Sequence, residues 1–344
     1  MTESDKTIEF NKTNFIKQFS GSLSQMDSAF EMGSNIGGGN IDQVYFIGCG
    51  APHHLFLVLE YWGAKYATHT TFHRYFPAEF ILHNPQSIDE HSLIVFGSHS
   101  GTTKETVDAA AFAKTTPAKT LAFTQSVDSP LGKIVDIAIT YGETKEGYFS
   151  AFMLTLAFLS AFLSKKEPDW PYHEALVQSL PHLPSALADA KKQTLQTAME
   201  QAALMKDIQQ LYVLGAGPMY TTAYVFASCF LMEMQWLHAY ALQAAEFFHG
   251  PFEVVEPSTP ILLLIGEGPT RPIAERVKRF TKQFSENTLI YDAKEFNMPG
   301  ILPEIRPLVA PMIVDAALTN LVESIAILRK HPMSTRRYMG KVEY

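Results

Sequence analysis

Cysteine is scarce in this chain, and the frameworks built on it are excluded. Only Cys49 and Cys229 occur in 344 residues, both in apolar surroundings and without CxxC or Cys/His spacing. Neither a disulfide scaffold nor a zinc site is expected. Clusters of Lys and Arg are lacking as well, and the formal charge is −8, which argues against nucleic acid as a partner. No apolar run reaches the roughly 18 residues of a membrane span. The nearest, residues 151–163, stops at Ser164-Lys165-Lys166 and reads as a core helix, so no membrane partner is expected. The opening MTESDKTIEFNK has acidic residues and no apolar segment behind a basic one. It is neither a secretory signal nor a transit peptide, and the cytoplasm is the expected compartment. Gly48-Cys49-Gly50-Ala51-Pro52-His53 lacks the third glycine of a dinucleotide fingerprint, and no metal-ligand spacing is present, so neither cofactor nor metal is expected.

One further absence marks a site. Residues 207–270 contain no Lys or Arg, while Asp207, Glu233, Glu246, Glu253, Glu256 and Glu267 all fall among them. Within this window residues 230–256 read FLMEMQWLHAYALQAAEFFHGPFEVVE. The apolar surroundings of Glu233 predict a buried helix that runs to Leu242. A carboxylate there must pair, take up a proton, or belong to a site that uses its raised pKa, and local pairing is poor. Glu246 and His249 follow just ahead of Gly250 and Pro251, residue types that position side chains on loops. A carboxylate and an imidazole are thus brought forward as a candidate acid/base pair. The same residues also suit structural roles, with Glu233 bonded to a helix end and His249 capping the next helix.

The remainder has the make-up of a globular enzyme, 47% hydrophobic and 18% charged, at a length that favours two domains. Residues 1–12 read as a loose arm and 14–32 as an amphipathic helix, followed by a Gly-rich break at 33–39. Strands are predicted at 43–50, 70–75, 92–97, 120–124 and 137–141, with helices at 54–68, 104–114 and 149–163. The second half repeats the first. Gln43, Tyr45, Gly48 and Gly50 recur as Gln210, Tyr212, Gly215 and Gly217 at a constant spacing of 167 residues, and Ala78-Glu79-Phe80 recurs as Ala245-Glu246-Phe247 at the same spacing. With one residue of slip, Thr120-Leu121 recurs as Thr288-Leu289. Such a repeat predicts an α/β fold of two tandem doubly wound parallel-sheet domains with an N-terminal helix and a C-terminal tail. The expected boundaries are 1–34, 35–185, 186–330 and 331–344, with a connecting helix near 191–206.

In an open parallel sheet ligands bind beyond the carboxyl ends of the strands. There the first half carries Ser98-His99-Ser100-Gly101-Thr102-Thr103, a hydroxyl-rich turn leading into a helix, which suits a phosphate; it suits an N-cap cluster equally. The matching strand of the second half ends in Gly266-Glu267-Gly268, where a carboxylate would repel a phosphate.

The duplicated unit, SHSGTTKET and the HGP tripeptide resemble the sugar isomerase (SIS) domains of the isomerase half of glucosamine-6-phosphate synthase, over almost the whole chain. LMEMQWLHA at 231–239, EFFHGPFE at 246–253 and HPMSTRRYMGKVEY at 331–344 are similar to the bacterial deglycases of phosphorylated Amadori compounds. The resemblance implies a deglycase that releases glucose 6-phosphate and a free amino acid from a fructosyl-amino acid 6-phosphate without a cofactor. It implies Glu233 and His249 as the proton-transfer and ring-opening pair, with Lys341 reaching the site from the tail. Ser98, His99, Ser100 and Thr103 would bind phosphate or substrate, together with Gly50, His53 and Glu246. Pro52 stands where relatives place a Ser, so one hydroxyl is lost and His53 or backbone amides would compensate. A phosphosugar isomerase, an aminosugar-phosphate deaminase and a non-catalytic sensor are the other activities hosted by such domains. A dimer or higher homo-oligomer with shared sites is expected.

Overall fold

A computed structural model describes residues 9–343, so the arm read at 1–12 lies outside the described residues through position 8. The chain divides into two compact units. One comprises residues 13–184 with 300–305. The other comprises 185–299 with 306–343 and 9–12.

The first unit runs α1 (Lys12–Lys17), α2 (Ser20–Gly37), β1 (Gln43–Gly48), α3 (Gly50–Tyr66), β2 (Thr71–Tyr75), α4 (Pro77–His83) and β3 (Ser92–Gly97). It continues through α5 (Lys104–Ala113), β4 (Lys119–Thr124), α6 (Pro130–Ile134), β5 (Ile137–Thr140), α7 (Gly147–Lys166) and α8 (His173–Ser179). The sheet is parallel, in the order β2-β1-β3-β4-β5. Helices cover both faces of such a sheet, so its strands are apolar throughout, and every residue of β3 is buried.

Two helix readings need correction. The leading helix is two helices broken at Gln18-Phe19. The break turns Phe19 fully into the core and lets the Gln18 amide oxygen accept the Lys145 N–H at 3.0 Å. Gly38 and Gly39 do form a turn after α2, but Gly33 and Gly37, taken as part of the same break, are instead helical. Without side chains they let α2 lie on α7: a Cβ on Gly33 would come within 2.1 Å of the Phe158 carbonyl oxygen and one on Gly37 within 2.5 Å of that of Phe162. Helix α3 also starts earlier than residue 54. Pro52 falls in its first turn, where the missing N–H has no intrahelical partner to lose.

The second unit runs α9 (Leu183–Met205), β6 (Leu211–Gly215), α10 (Met219–Tyr224), β7 (Ala239–Gln243), β8 (Ile261–Ile265), α11 (Arg271–Phe284), β9 (Thr288–Asp292) and α12 (Arg306–Leu328). Its parallel sheet has the order β7-β6-β8-β9, the same as the first four strands of the other unit. α10 is prolonged by a π-helical segment, Val225–Met234. The helix expected to reach Leu242 therefore ends early, because Trp236 adopts left-handed backbone at φ 56°, and residues 239–243 form a strand.

Two helices, Gly147–Lys166 and Arg306–Leu328, are long and apolar enough to cross a membrane, so the sequence reading understated them. Within the protein 83% and 78% of these windows are buried, which is the environment of core helices. Thr222 reaches the second of them, its hydroxyl donating to the Pro311 carbonyl at 2.8 Å.

Candidate active site

In the first unit β1 and β3 are neighbours whose chains leave the sheet in opposite directions, the place where such folds bind ligands. Beyond β3, Ser98 is buried. Its hydroxyl accepts the Gly101 N–H at 3.2 Å and bonds the Thr103 hydroxyl at 3.0 Å. Ser100 accepts the Thr102 N–H at 3.2 Å and bonds its hydroxyl at 2.8 Å. Gly101 sits at φ 65°, with Ser129 Oγ only 2.2 Å from where a Cβ would stand, so no other residue closes this turn without strain. The N-cap alternative is not realised: Thr103 precedes α5 but its side chain makes no cap bond. Ser100 and Thr103 stay exposed at the tip.

His99 turns from the tip towards the cavity beneath the turn, which it lines with Tyr141 and Gly147; its Nδ1 lies 3.0 Å from the Tyr141 hydroxyl, and burial lowers its pKa. Beneath the turn is a cavity of ≈ 240 Å³ lined by Pro52, Phe56, Ser98, Phe123 and Tyr148 among others. Gly50 begins α3 at φ 56° beside it. His53 does not line that cavity. It is buried, stacks on Phe76 at 3.8 Å, accepts at Nε2 from Arg74 and has Nδ1 3.3 Å from the Tyr75 carbonyl. Burial and the Arg74 charge push its pKa down to about 4. Turned towards β2 and neutral, His53 does not replace the hydroxyl missing at Pro52, which corrects that expectation.

In the second unit Glu233 lies at the end of the π-helical segment. Such segments are rare and recur at functional sites. Burial raises its pKa, opposed by Arg336, whose guanidinium lies 2.9 Å away. The partner missing locally thus arrives from the C-terminal tail. The segment is less buried than its composition predicts, with Met232 and Trp236 exposed. Leu237 N–H bonds the Leu231 carbonyl at 3.0 Å, so Trp236 occupies the left-handed closing position usually given to Gly. The Arg337 guanidinium lies 4.2 Å over its ring and His331 meets it edge-on at 4.6 Å. Buried Gln235 donates to the His331 carbonyl at 3.0 Å, fastening the tail. A cavity of ≈ 500 Å³ results, lined by Glu233, Trp236, His238, Arg336, Arg337 and Tyr338. Lys341 does not line it: its exposed ammonium donates to the Arg336 carbonyl, tying the tail to itself.

His249 and Glu246 occupy the turn after β7. Both are exposed, with His249 N–H on the Glu246 carbonyl at 2.9 Å, and neither is among the residues lining the Glu233 cavity. Phe247 is buried under this turn and packs edge-on against Phe280 at 5.5 Å. The edge beyond β6 and β8 is closed: Thr270 donates to the Ala216 carbonyl at 3.1 Å, and Arg306 holds Glu267 by a fork at 2.7 and 3.0 Å. Among the described residues no group of three or more His, Cys, Asp or Glu side chains is placed to hold a metal ion.

A SIS-domain family profile matches residues 40–165. A fructosamine deglycase of Bacillus subtilis is 33% identical over 89% of this chain and 94% of its own. The chain belongs to the SIS-domain phosphosugar family. A fructoselysine 6-phosphate deglycase of Escherichia coli is 26% identical over 89% of this chain and 88% of its own. A solved structure of a provisionally assigned phosphosugar isomerase from Salmonella typhimurium superposes with a TM-score of 0.87, at 29% identity, over 93% of this chain and 97% of that one.

For this SIS-domain protein the cavity-lining residues that sequence reasoning did not single out include Arg336, Tyr141 and Lys145. Arg336 was visible in the tail motif but nothing local pairs it with Glu233. The left-handed backbone of Trp236 has no sequence signal, since a bulky residue is the exception there. Strand β7 did have a signal, because the repeat places it opposite Thr71–Tyr75.

Proposed function

We propose that this protein is a deglycase that cleaves a fructosyl-amino acid 6-phosphate to glucose 6-phosphate and a free amino acid. The observation that carries the reading is Glu233, a half-buried carboxylate of raised pKa with a single arginine partner. Such a group is suited to taking and returning a proton. The open-chain substrate has its amine on C1 and its carbonyl on C2. Glu233 takes a proton from C1 and delivers it to C2, while the C2 oxygen gains the proton that the C1 amine loses and becomes a hydroxyl, which leaves an imine at C1. Water adds to that imine and the C1–N bond breaks, giving the aldehyde of glucose 6-phosphate and the amine. His249 assists ring opening, and the Ser98–Thr103 turn with the first turn of α5 receives the phosphate. Lys341 acts through the tail that presents Arg336. The deglycase names of the relatives and the phosphosugar assignment of the solved structure support this reading, and water is the only co-reactant consumed.

The test is incubation with fructosyl-amino acid 6-phosphates, following glucose 6-phosphate by a coupled dehydrogenase and the amino acid by chromatography. Equal release of both products, lost in Glu233→Gln, is the expected result. Conversion of fructose 6-phosphate or glucosamine 6-phosphate instead would transfer the assignment to an isomerase or a deaminase. Binding without turnover would make the protein a sensor.

A further inference from the structure

Two arginines of the tail reach the Glu233 cavity, and their partners differ. Arg336 lies 2.9 Å from Glu233, and its guanidinium also donates to the Met333 carbonyl at 2.8 Å and the Thr335 carbonyl at 3.0 Å. The Arg337 guanidinium instead lies 4.2 Å over the Trp236 ring and 6.0 Å from that of Tyr338. Among the described residues it makes no ion pair and no hydrogen bond. A guanidinium over a ring face keeps its N–H donors free at the edge, where they match a carboxylate as a two-pronged fork. Both arginines line the ≈ 500 Å³ cavity, and among the described residues no carboxylate other than Glu233 does so. Glu233 and Arg336 offset each other, so one positive charge remains for a ligand to meet.

Substrate chemistry decides which end of the ligand meets it. Glu233 must reach C1, where the amine is attached, while the phosphate sits on C6 at the other end of the open chain. Groups that share the cavity with Glu233 therefore face the amine half. An amino acid joined through its α-amine carries a carboxylate one carbon from that nitrogen.

We propose that Arg337 is a specificity-determining residue that binds the carboxylate of the amine half, and so admits fructosyl-amino acids ahead of fructosyl-amines that lack this charge. The proposal rests on the deglycase reading and adds to it the group by which the amine is recognised. Trp236, in left-handed backbone at φ 56°, is the platform that holds Arg337 at the cavity without pairing it to Glu233. Arg336 reduces the repulsion between the reacting carboxylate and the bound one.

The experiment compares the 6-phosphates of fructosylglycine and fructosylglycinamide, which differ by one charge at almost equal size, by kcat/KM and by calorimetric binding. The glycine derivative is expected to exceed the glycinamide derivative by about tenfold or more in kcat/KM. Arg337→Gln alters an exposed side chain and is expected to raise KM for the glycine derivative about tenfold more than for the glycinamide derivative. Arg337→Lys keeps the charge without the fork and is expected to recover only part of that loss. A change that merely loosened the tail would weaken both substrates alike. Equal kcat/KM for the two compounds, or an Arg337→Gln effect equal on both, overturns this proposal and leaves the deglycase reading standing. Tighter binding of the glycine derivative, lost in Arg337→Gln, without cleavage of either compound upholds the carboxylate site and removes the deglycase reading. No binding of either compound removes both.

Discussion

The two units share a strand order and a sequence repeat, yet they treat the same edge of the sheet in opposite ways. Beyond β3 the first unit has small hydroxyls, a left-handed glycine and a cavity. Beyond β8 the second has Thr270 bonded across to Ala216 and a carboxylate, Glu267, forked by Arg306. One copy remains open for an anion and the other is sealed by an internal ion pair. The second unit carries its carboxylate of raised pKa elsewhere, at the end of the helix that follows β6, where π-helical winding and the C-terminal tail frame Glu233. Duplication thus supplies two scaffolds, and a few residues beyond the strands give their edges different chemistry. Position 53 shows the same divergence, with neutral His53 in the first unit and Tyr220 at the repeat position in the second.

The largest test of this division is Glu233→Gln, which should lower kcat by about 10² to 10⁴-fold with an unchanged circular dichroism spectrum. A loss below tenfold would mean that the second unit does not carry the proton. Arg306→Met should strand Glu267 and cost about 3 kcal/mol in urea unfolding, without altering KM. If KM changed instead, the second edge would be a binding site after all. Ser98→Ala should raise KM about tenfold, as expected for one lost hydroxyl bond, whereas Thr270→Ala should leave it in place. Equal effects of the two would erase the contrast between the edges.

Two smaller effects follow from pH. The pKa of Glu233 lies above the usual carboxylate value and a base must be ionised, so the acid limb of kcat/KM should stand higher than for an ordinary carboxylate. Arg336 is the group that lowers this pKa. Arg336→Gln should therefore move the limb further up, and a downward shift would contradict the pairing. In the first unit His53 titrates at about 4 and His54 at about 3, against an ordinary value of 6.5. Their folded pKa values are depressed, so the unfolded chain takes up protons first. Their contribution to stability is complete above about pH 6.5 and declines as pH falls towards 4. Urea midpoints at pH 7.5 and pH 5 should show this decline, and His53→Phe should flatten it.

Several of these features were legible in advance. The strand at 92–97 was read to the residue because buried parallel strands are uninterrupted apolar runs. The raised pKa of Glu233 followed from an apolar neighbourhood without nearby cations. The glycines of α2 misled because they serve contact with α7, a relation invisible along one strand of sequence. His53 misled because adjacency to a glycine turn does not say which way a helical side chain points.

By itself the sequence determined the duplication, the parallel α/β class, the hydroxyl turn and the solitary carboxylate, since each depends on local composition, periodicity or repeat spacing. Only the tertiary structure decided that Arg336 pairs with Glu233, that Trp236 closes a π-helical segment in left-handed backbone, and that the second sheet edge is sealed by Arg306 and Glu267. Those are contacts between residues far apart in the chain, and their energies depend on burial and distance, which exist only once the chain has folded.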